Sequence, residues 1–203
     1  FIFDMRGFWA DERVDGGIWS LKNPLYKFIY SWFKKKEKVL LHKADYVVSL
    51  THRAKEEIID KFQTPSNLIG VIPCCADLQH FVPSERPSSD KVTSVTTVFG
   101  YLGSIGTWYL LDEMLDFFKH YLSKDQNAIF LFITKDSPES ILHKAKEKEI
   151  DTHKIKIQSA KYSEVPSYLS QMDYMLCFIK PSYSKMASSP VKQGEAMAMG
   201  IPI

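Results

Sequence analysis

VFGYLGSIGTWYLLDEMLDFFKHYL, from Val98 to Leu122, reads as an apolar strand, a short glycine loop and an amphipathic helix. Apolar residues run unbroken through VFGYL, whereas from Trp108 to Leu122 they recur at helical spacing. The order then repeats. AIFLFIT precedes a helical stretch from Pro138 to Glu149, KIKIQ precedes one from Val165 to Gln171, and YMLCFI precedes the closing segment SSPVKQGEAMAMGIPI, Ser188 to Ile203. Strands alternating with helices of this length predict crossover units and a parallel sheet. Such sheets bind ligands at the carboxyl ends of their strands, where the loop GSIGT (Gly103 to Thr107) falls. Gly103 and Gly106 would let the backbone approach a phosphate or a sugar closely, and they equally suit a tight strand-to-helix turn.

The closing segment predicts a short, sharply placed helix. Ser188 or Ser189 can cap it, Pro190 suits its first turn, and Gly200 followed by Pro202 stops it. The free amides and dipole at its start favour an anion, and Lys192 and Glu195, three apart, share one face near that end. A lysine suits phosphate, and a carboxylate can grip both ribose hydroxyls. A surface helix with a cap and an ion pair has the same pattern.

A second unit of the same type lies upstream. FIFD (Phe1 to Asp4), YVVSL and LIGVI read as strands, Pro24 to Lys43 as a long helix, and Thr51 as the cap of a helix reaching Phe62. LIGVI leads into IPCCADLQHF, Ile72 to Phe81, and then into VPSERPSSDKVTS, whose proline, serine and charge mark a surface linker. The expected division is 1–83 for a first domain, 84–94 for the linker and 95–203 for a second domain. A chain starting directly on a strand and ending on Gly-Ile-Pro-Ile is expected to be a fragment.

The closing segment resembles the donor signature of family 4 glycosyltransferases, in which a proline-lysine variant is followed by a glutamate and an Ala-Met-Ala-x-Gly-x-Pro run. IPCCADLQHF is similar to the Ile-Pro-Asn-Gly-Val-Asp-x-x-x-Phe segment that ends the family's first domain. Cys74 and Cys75 replace its asparagine and glycine, and Asp77 and Phe81 are retained. The resemblance implies two Rossmann-like domains facing across a cleft, the GT-B fold, and a retaining transfer of sugar from a nucleoside diphosphate to an acceptor hydroxyl. It assigns Glu195 to the donor ribose and places Gly103, Ser104, Gly106, Thr107, Ser189, Pro190 and Lys192 around the donor. Ala187 stands where the commoner motif has a further glutamate. Ser104 and Thr107 take the places of the family's usual loop arginine and lysine, so Lys192, Lys185 and Lys135 are the candidates to offset the diphosphate charge. No metal or other cofactor is implied. A non-catalytic nucleotide-sugar binder and a sugar-nucleotide epimerase share the resemblance, because a fold does not settle a reaction.

DMRGFWADERVDGGIW follows the first strand and would line the same cleft. Asp4 and Arg6, on one side of an extended chain, can orient an acceptor hydroxyl or a phosphate, or pair with each other. Similar Asp-x-Arg-Gly segments occur in bacterial enzymes of this family that build surface polysaccharides. In Pro24 to Lys43, Leu25, Phe28, Ile29, Trp32 and Phe33 precede lysines beginning at Lys34. That pattern fits a helix packed on a sheet, and also one lying on an anionic membrane that presents a lipid-linked acceptor.

Composition narrows the classes. With 203 residues, 45% hydrophobic and 25% charged, the chain is an ordinary globular protein. A net charge of +2 with no extended basic-aromatic stretch gives no reason to expect nucleic acid. Three cysteines make no disulfide framework and point to a reducing, cytoplasmic setting, with a peripheral site on the inner membrane face if the long helix binds lipid. Six scattered histidines lack ligand spacing.

Overall fold

The computed structural model describes residues 1–83 and 96–203, so the expected linker at 84–94 lies outside the described residues. The chain divides into two compact units, Phe1–Cys74 with Lys180–Pro190, and Cys75–Ile179 with Val191–Ile203.

In the first unit, β1 (Ile2–Met5), β2 (Tyr46–Ser49) and β3 (Ile69–Val71) form a parallel sheet in that order. Helices α1 (Trp9–Asp15), α2 (Pro24–Lys43) and α3 (His52–Phe62) connect them. The long helix keeps the bounds its sequence suggests, because the Asn23 side chain accepts from the Leu25 amide at 2.9 Å and Pro24 occupies the first turn. Likewise the Thr51 hydroxyl accepts from the Ala54 amide at 3.0 Å, and α3 ends on Gln63 in the left-handed region at φ 54°. Met5, Phe8, Leu41, Val47, Ile58 and Ile69 make the core.

Position in sequence puts Lys180–Pro190 in the second domain, but its side chains belong to the first unit. Tyr183 stacks on Phe8 with ring centroids 5.1 Å apart and 11° between planes. The Ser184 amide donates to the Asp15 carboxylate at 2.9 Å, the Thr51 hydroxyl to the Met186 carbonyl at 2.6 Å, and Lys185 to Glu12 at 3.0 Å.

Lys34, expected in an exposed basic cluster, turns inward instead. It donates to Asp11 at 2.8 Å and to Glu37, and its ammonium lies over the Phe8 and Phe62 rings at 5.8 and 5.4 Å. Burial alone would lower its pKa, and the hydrogen bonds to the two carboxylates outweigh that, raising it. Replacing it would leave Asp11 and Glu37 facing each other without a cation. Lys34→Met is expected to cost about 3 kcal/mol in urea unfolding, and exposed Lys35→Met less than about 0.5 kcal/mol. Equal midpoints for the two variants would show that Lys34 is only a surface charge.

In the second unit, β4 (Val98–Leu102), β5 (Ile129–Ile133), β6 (Ile155–Gln158) and β7 (Tyr174–Met175) form a parallel sheet in the order β6-β5-β4-β7. Its helices are α4 (Leu111–Leu122), α5 (Pro138–Glu147), α6 (Val165–Leu169) and α7 (Val191–Ala198). The continuous apolar strands follow from burial on both faces. Phe130 and Phe132 enter one cluster with Met114, Leu115 and Phe118, while Leu131 and Ile133 enter another with Leu169, Met172 and Met175.

Several elements are shorter than their sequence patterns: α5 and α6 each stop two residues early, and three others differ for visible reasons or more sharply. α4 begins at Leu111, because the Leu110 amide bonds the Phe178 carbonyl at 3.0 Å and Tyr109 bridges Ile179, drawing residues 109–110 out of the helix. β7 holds only Tyr174–Met175 of YMLCFI. α7 opens at Val191, so Pro190 precedes its first turn, and the Ser189 hydroxyl accepts from the Cys74 amide at 3.2 Å. Its end matches the sequence: Gly200 lies at φ 74°, and the Ile201 amide returns to the Ala196 carbonyl at 2.9 Å.

Candidate functional site

The second unit brings Gly103, Ser104, Lys135, Lys192 and Glu195 to the carboxyl end of its sheet. Gly103 leaves β4 at φ 106°, a conformation that favours glycine. A Cβ there would also sit 3.0 Å from Lys192 Nζ, so the lysine tip would have to give by a few tenths of an ångström. Leu102, Gly103, Ser104, Thr134, Lys135, Asp136 and Ala160 line a cavity of about 220 Å³ at the ends of β4, β5 and β6. Lys135 is exposed on its rim.

Asp136, absent from the sequence-derived set, organises the loop. Ser104 Oγ lies 3.1 Å from both of its carboxylate oxygens, and the Ile105 amide also donates to it. One backbone donor that a bound anion could use is therefore already taken. The Gly106 amide donates weakly to Ser104 Oγ at 3.4 Å, and Thr107 is exposed. The signal for Asp136 lay in AIFLFITKD, which carries a carboxylate just past the strand neighbouring β4.

Lys192 is the central cation. Its ammonium donates to the Tyr101 hydroxyl at 3.1 Å and lies 3.5 Å from the Tyr109 ring centroid and 4.4 Å from that of Tyr101. Tyr101 in turn donates to the Ser104 carbonyl at 2.5 Å, tying the lysine to the loop. Burial pushes the Lys192 pKa down to about 8, against the opposing pull of Cys177, Glu195 and Asp136. One turn along α7, Glu195 is 9% exposed, and burial pushes its carboxyl pKa up against His80 and Lys192. A carboxylate held that dry is primed to accept hydroxyl hydrogen bonds. The retained Asp77 accepts from the Gln79 amide at 2.9 Å, Phe81 is buried in the unit's core, and His80 stacks on Tyr162 at 4.5 Å.

The remaining candidates belong to the first unit. Lys185 is engaged by Glu12, Ser189 by Cys74, and Pro190 ends that unit's last segment. Arg6 Nε donates to Asp4 at 2.9 Å in an exposed pair. The two residues border a largely apolar cavity of about 440 Å³ walled by Phe3, Trp9, Trp32 and Phe33. Among the described residues, no group of three or more His, Cys, Asp or Glu could hold a metal ion, and no helix is long and apolar enough to cross a membrane.

By sequence, no protein-family model and no curated protein matches the chain. Solved structures do. The chain is similar to HepE from Anabaena, solved in complex with UDP and glucose, at TM-score 0.64 and 12% identity over 99% of this chain and 51% of that one. It is also similar to sucrose-phosphate synthase from Thermosynechococcus elongatus (TM-score 0.63, 17% identity, 82% of this chain and 41% of that one). A third likeness is to TarM (TM-score 0.62, 14% identity, 83% and 31%). The chain has the GT-B fold. It spans about a third to a half of the length of these GT-B structures. In the GT-B frame, Lys192 and Glu195 lie where the parallel sheet of the second unit presents its carboxyl ends.

Proposed function

We propose that this chain carries the donor site of a family 4 glycosyltransferase that moves a hexosyl group from a nucleoside-diphosphate sugar to an acceptor hydroxyl with retention of configuration. The observation that carries this reading is that one helix places the dry Glu195 carboxylate one turn from the Lys192 ammonium, which lies beside the Gly103 turn. Glu195 grips the ribose hydroxyls. Lys192, helped by Lys135 on the rim, offsets the charge that grows on the diphosphate as the glycosidic bond breaks. That UDP occupies HepE supports a uridine nucleotide as the first donor to test. No metal is assigned to this reaction. On the first unit, Asp4 and Arg6 orient the acceptor, whose role would be in polysaccharide or glycolipid synthesis. Incubation with a panel of UDP- and GDP-sugars and chromatography of the released nucleotide tests the assignment. Release from none of them, by a chain that still binds UDP, would instead favour a non-catalytic nucleotide-sugar binder, the reading to which the Asp136 contact with the loop amide lends weight.

The outer face of α2 supports a peripheral membrane role for the same enzyme. Leu25, Phe28 and Trp32 are 62, 70 and 48% exposed, and Lys35, Lys36 and Lys38 are exposed beside them. Basic residues near an anionic surface contribute about 1 kcal/mol each, so replacing these three lysines by glutamine should release the protein from phosphatidylglycerol vesicles. Equal sedimentation of both forms would assign the face to protein packing.

A further inference from the structure

Three lysines of the second unit meet carboxylates: Lys119 with Glu149, Lys144 with Asp112 and Lys148 with Asp116, at 2.6 to 2.9 Å. Lys192 does not. Among the described residues no carboxylate lies within ion-pair distance of its ammonium, although the side chain is partly buried. Its surroundings are one phenol oxygen and two aromatic faces, at 3.5 and 4.4 Å. Three N–H donors with a single hydrogen-bond acceptor leave a cation with unused capacity.

We propose that Tyr101 and Tyr109 are positioning residues that hold the Lys192 ammonium against the Gly103 turn without a competing carboxylate, so that an incoming diphosphate supplies its counter-charge. The proposal rests on the reading of Lys192 as the diphosphate's partner. The physical logic is a choice between two ways of keeping an ammonium in place. A carboxylate would hold it strongly but would have to be displaced by, or would repel, the phosphates. Ring faces attract the cation by about 0.5–2 kcal/mol and compete far less for its N–H donors. They also exclude water, which strengthens a later phosphate contact. Gly103 completes the arrangement, since any side chain there would meet the lysine tip.

A proton linkage follows. The groups facing Lys192 are the Tyr101 and Tyr109 phenols, the Cys177 thiol, Glu195 one turn along α7, and Asp136 beyond the loop. In the free protein the ammonium is charged well below pH 8 and loses its proton as the pH rises through about 8. A bound diphosphate holds that proton on. Affinity is therefore full well below pH 8, and is about tenfold weaker at pH 9 than at pH 7, with proton uptake on binding.

Titrating UDP calorimetrically from pH 7 to 9 tests this. Tyr109→Ala admits water to the ammonium and should weaken UDP about fivefold at pH 7 while moving the midpoint of the pH dependence above 8. Tyr109→Phe, which keeps the ring, should restore both. Tyr101→Phe removes the oxygen that accepts from the charged form and should move the midpoint down. Opposite shifts in the two variants are not produced by a merely structural role. If both midpoints stay at the wild-type value while Lys192→Gln still weakens UDP, the positioning role is wrong and the phosphate reading stands. If Lys192→Gln binds UDP as tightly as wild type at pH 7, both fall. Should Tyr101→Phe fail to fold, the contrast between Tyr109→Ala and Tyr109→Phe decides alone.

Discussion

Lys192→Gln is expected to lower kcat by about 10²–10³, the scale of losing one preorganised electrostatic contact, with much less change in donor KM. The asymmetry follows from where charge appears. In the intact sugar nucleotide the diphosphate is partly neutralised by its ester to the sugar, and the charge grows as that bond breaks, so a cation beside it acts most strongly in the transition state. Free UDP carries the full charge and should respond to the loss more than the donor does. Lys185→Gln is the comparison. Its ammonium is held by Glu12 at 3.0 Å, so its replacement should have the smaller effect on turnover. Full turnover in Lys192→Gln would move the phosphate contact to backbone amides or to Lys135 and remove the centre of the mechanism.

Glu195→Ala is expected to weaken UDP about ten- to hundredfold, which corresponds to losing roughly 1.5–3 kcal/mol of hydrogen bonding from a charged, dry carboxylate to two hydroxyls. Because the side chain sits on α7 close to the Met199 and Ile201 end of the core, thermal unfolding should be run alongside. A useful second variant is Glu195→Gln, which keeps one acceptor oxygen and should fall between alanine and wild type. Comparing UDP with inorganic pyrophosphate separates the two ends of the ligand. Glu195→Ala should spare pyrophosphate, and Lys192→Gln should weaken both. Unchanged UDP affinity in Glu195→Ala would remove the ribose assignment.

Local chemistry explains why much of the fold could be read from the chain. Asn23-Pro24 and Thr51 fix the starts of α2 and α3 through side-chain bonds to the first turn, and Gly200 ends α7 through its own backbone freedom. Strands buried on both faces betray themselves as unbroken apolar runs. What escaped reading depends on partners distant in sequence. The 108–110 stretch has helical spacing, yet Phe178 and Ile179 compete for its backbone. Tyr183, Ser184 and Met186 carry no mark that sends them to Phe8, Asp15 and Thr51.

The site divides the same way. Gly103, Lys192 and Glu195 were legible because turn glycines and helix spacing are local properties. Tyr101 was not, because a tyrosine inside an apolar strand reads as core, and its hydroxyl finds Lys192 only across 91 residues. The inward turn of Lys34 was available in principle, since it shares a helix face with Tyr30, Glu37 and Leu41, all of them at least partly buried. The run of three lysines obscured it.

The return of Lys180–Pro190 to the first unit sets a clock for biosynthesis. Asp15 and the Ser184 amide that bonds it are 169 residues apart, and a ribosome adding about 5–20 residues per second needs roughly 8–34 s to span them. Throughout that interval the nascent first unit has one face of Phe8 bare and the Asp15 carboxylate without this donor, while the whole second sheet is being made. Phe1–Cys74 must therefore wait, incompletely closed, until Lys180–Pro190 has been synthesised, and in a cell that waiting time is an opening for chaperones and proteases alike.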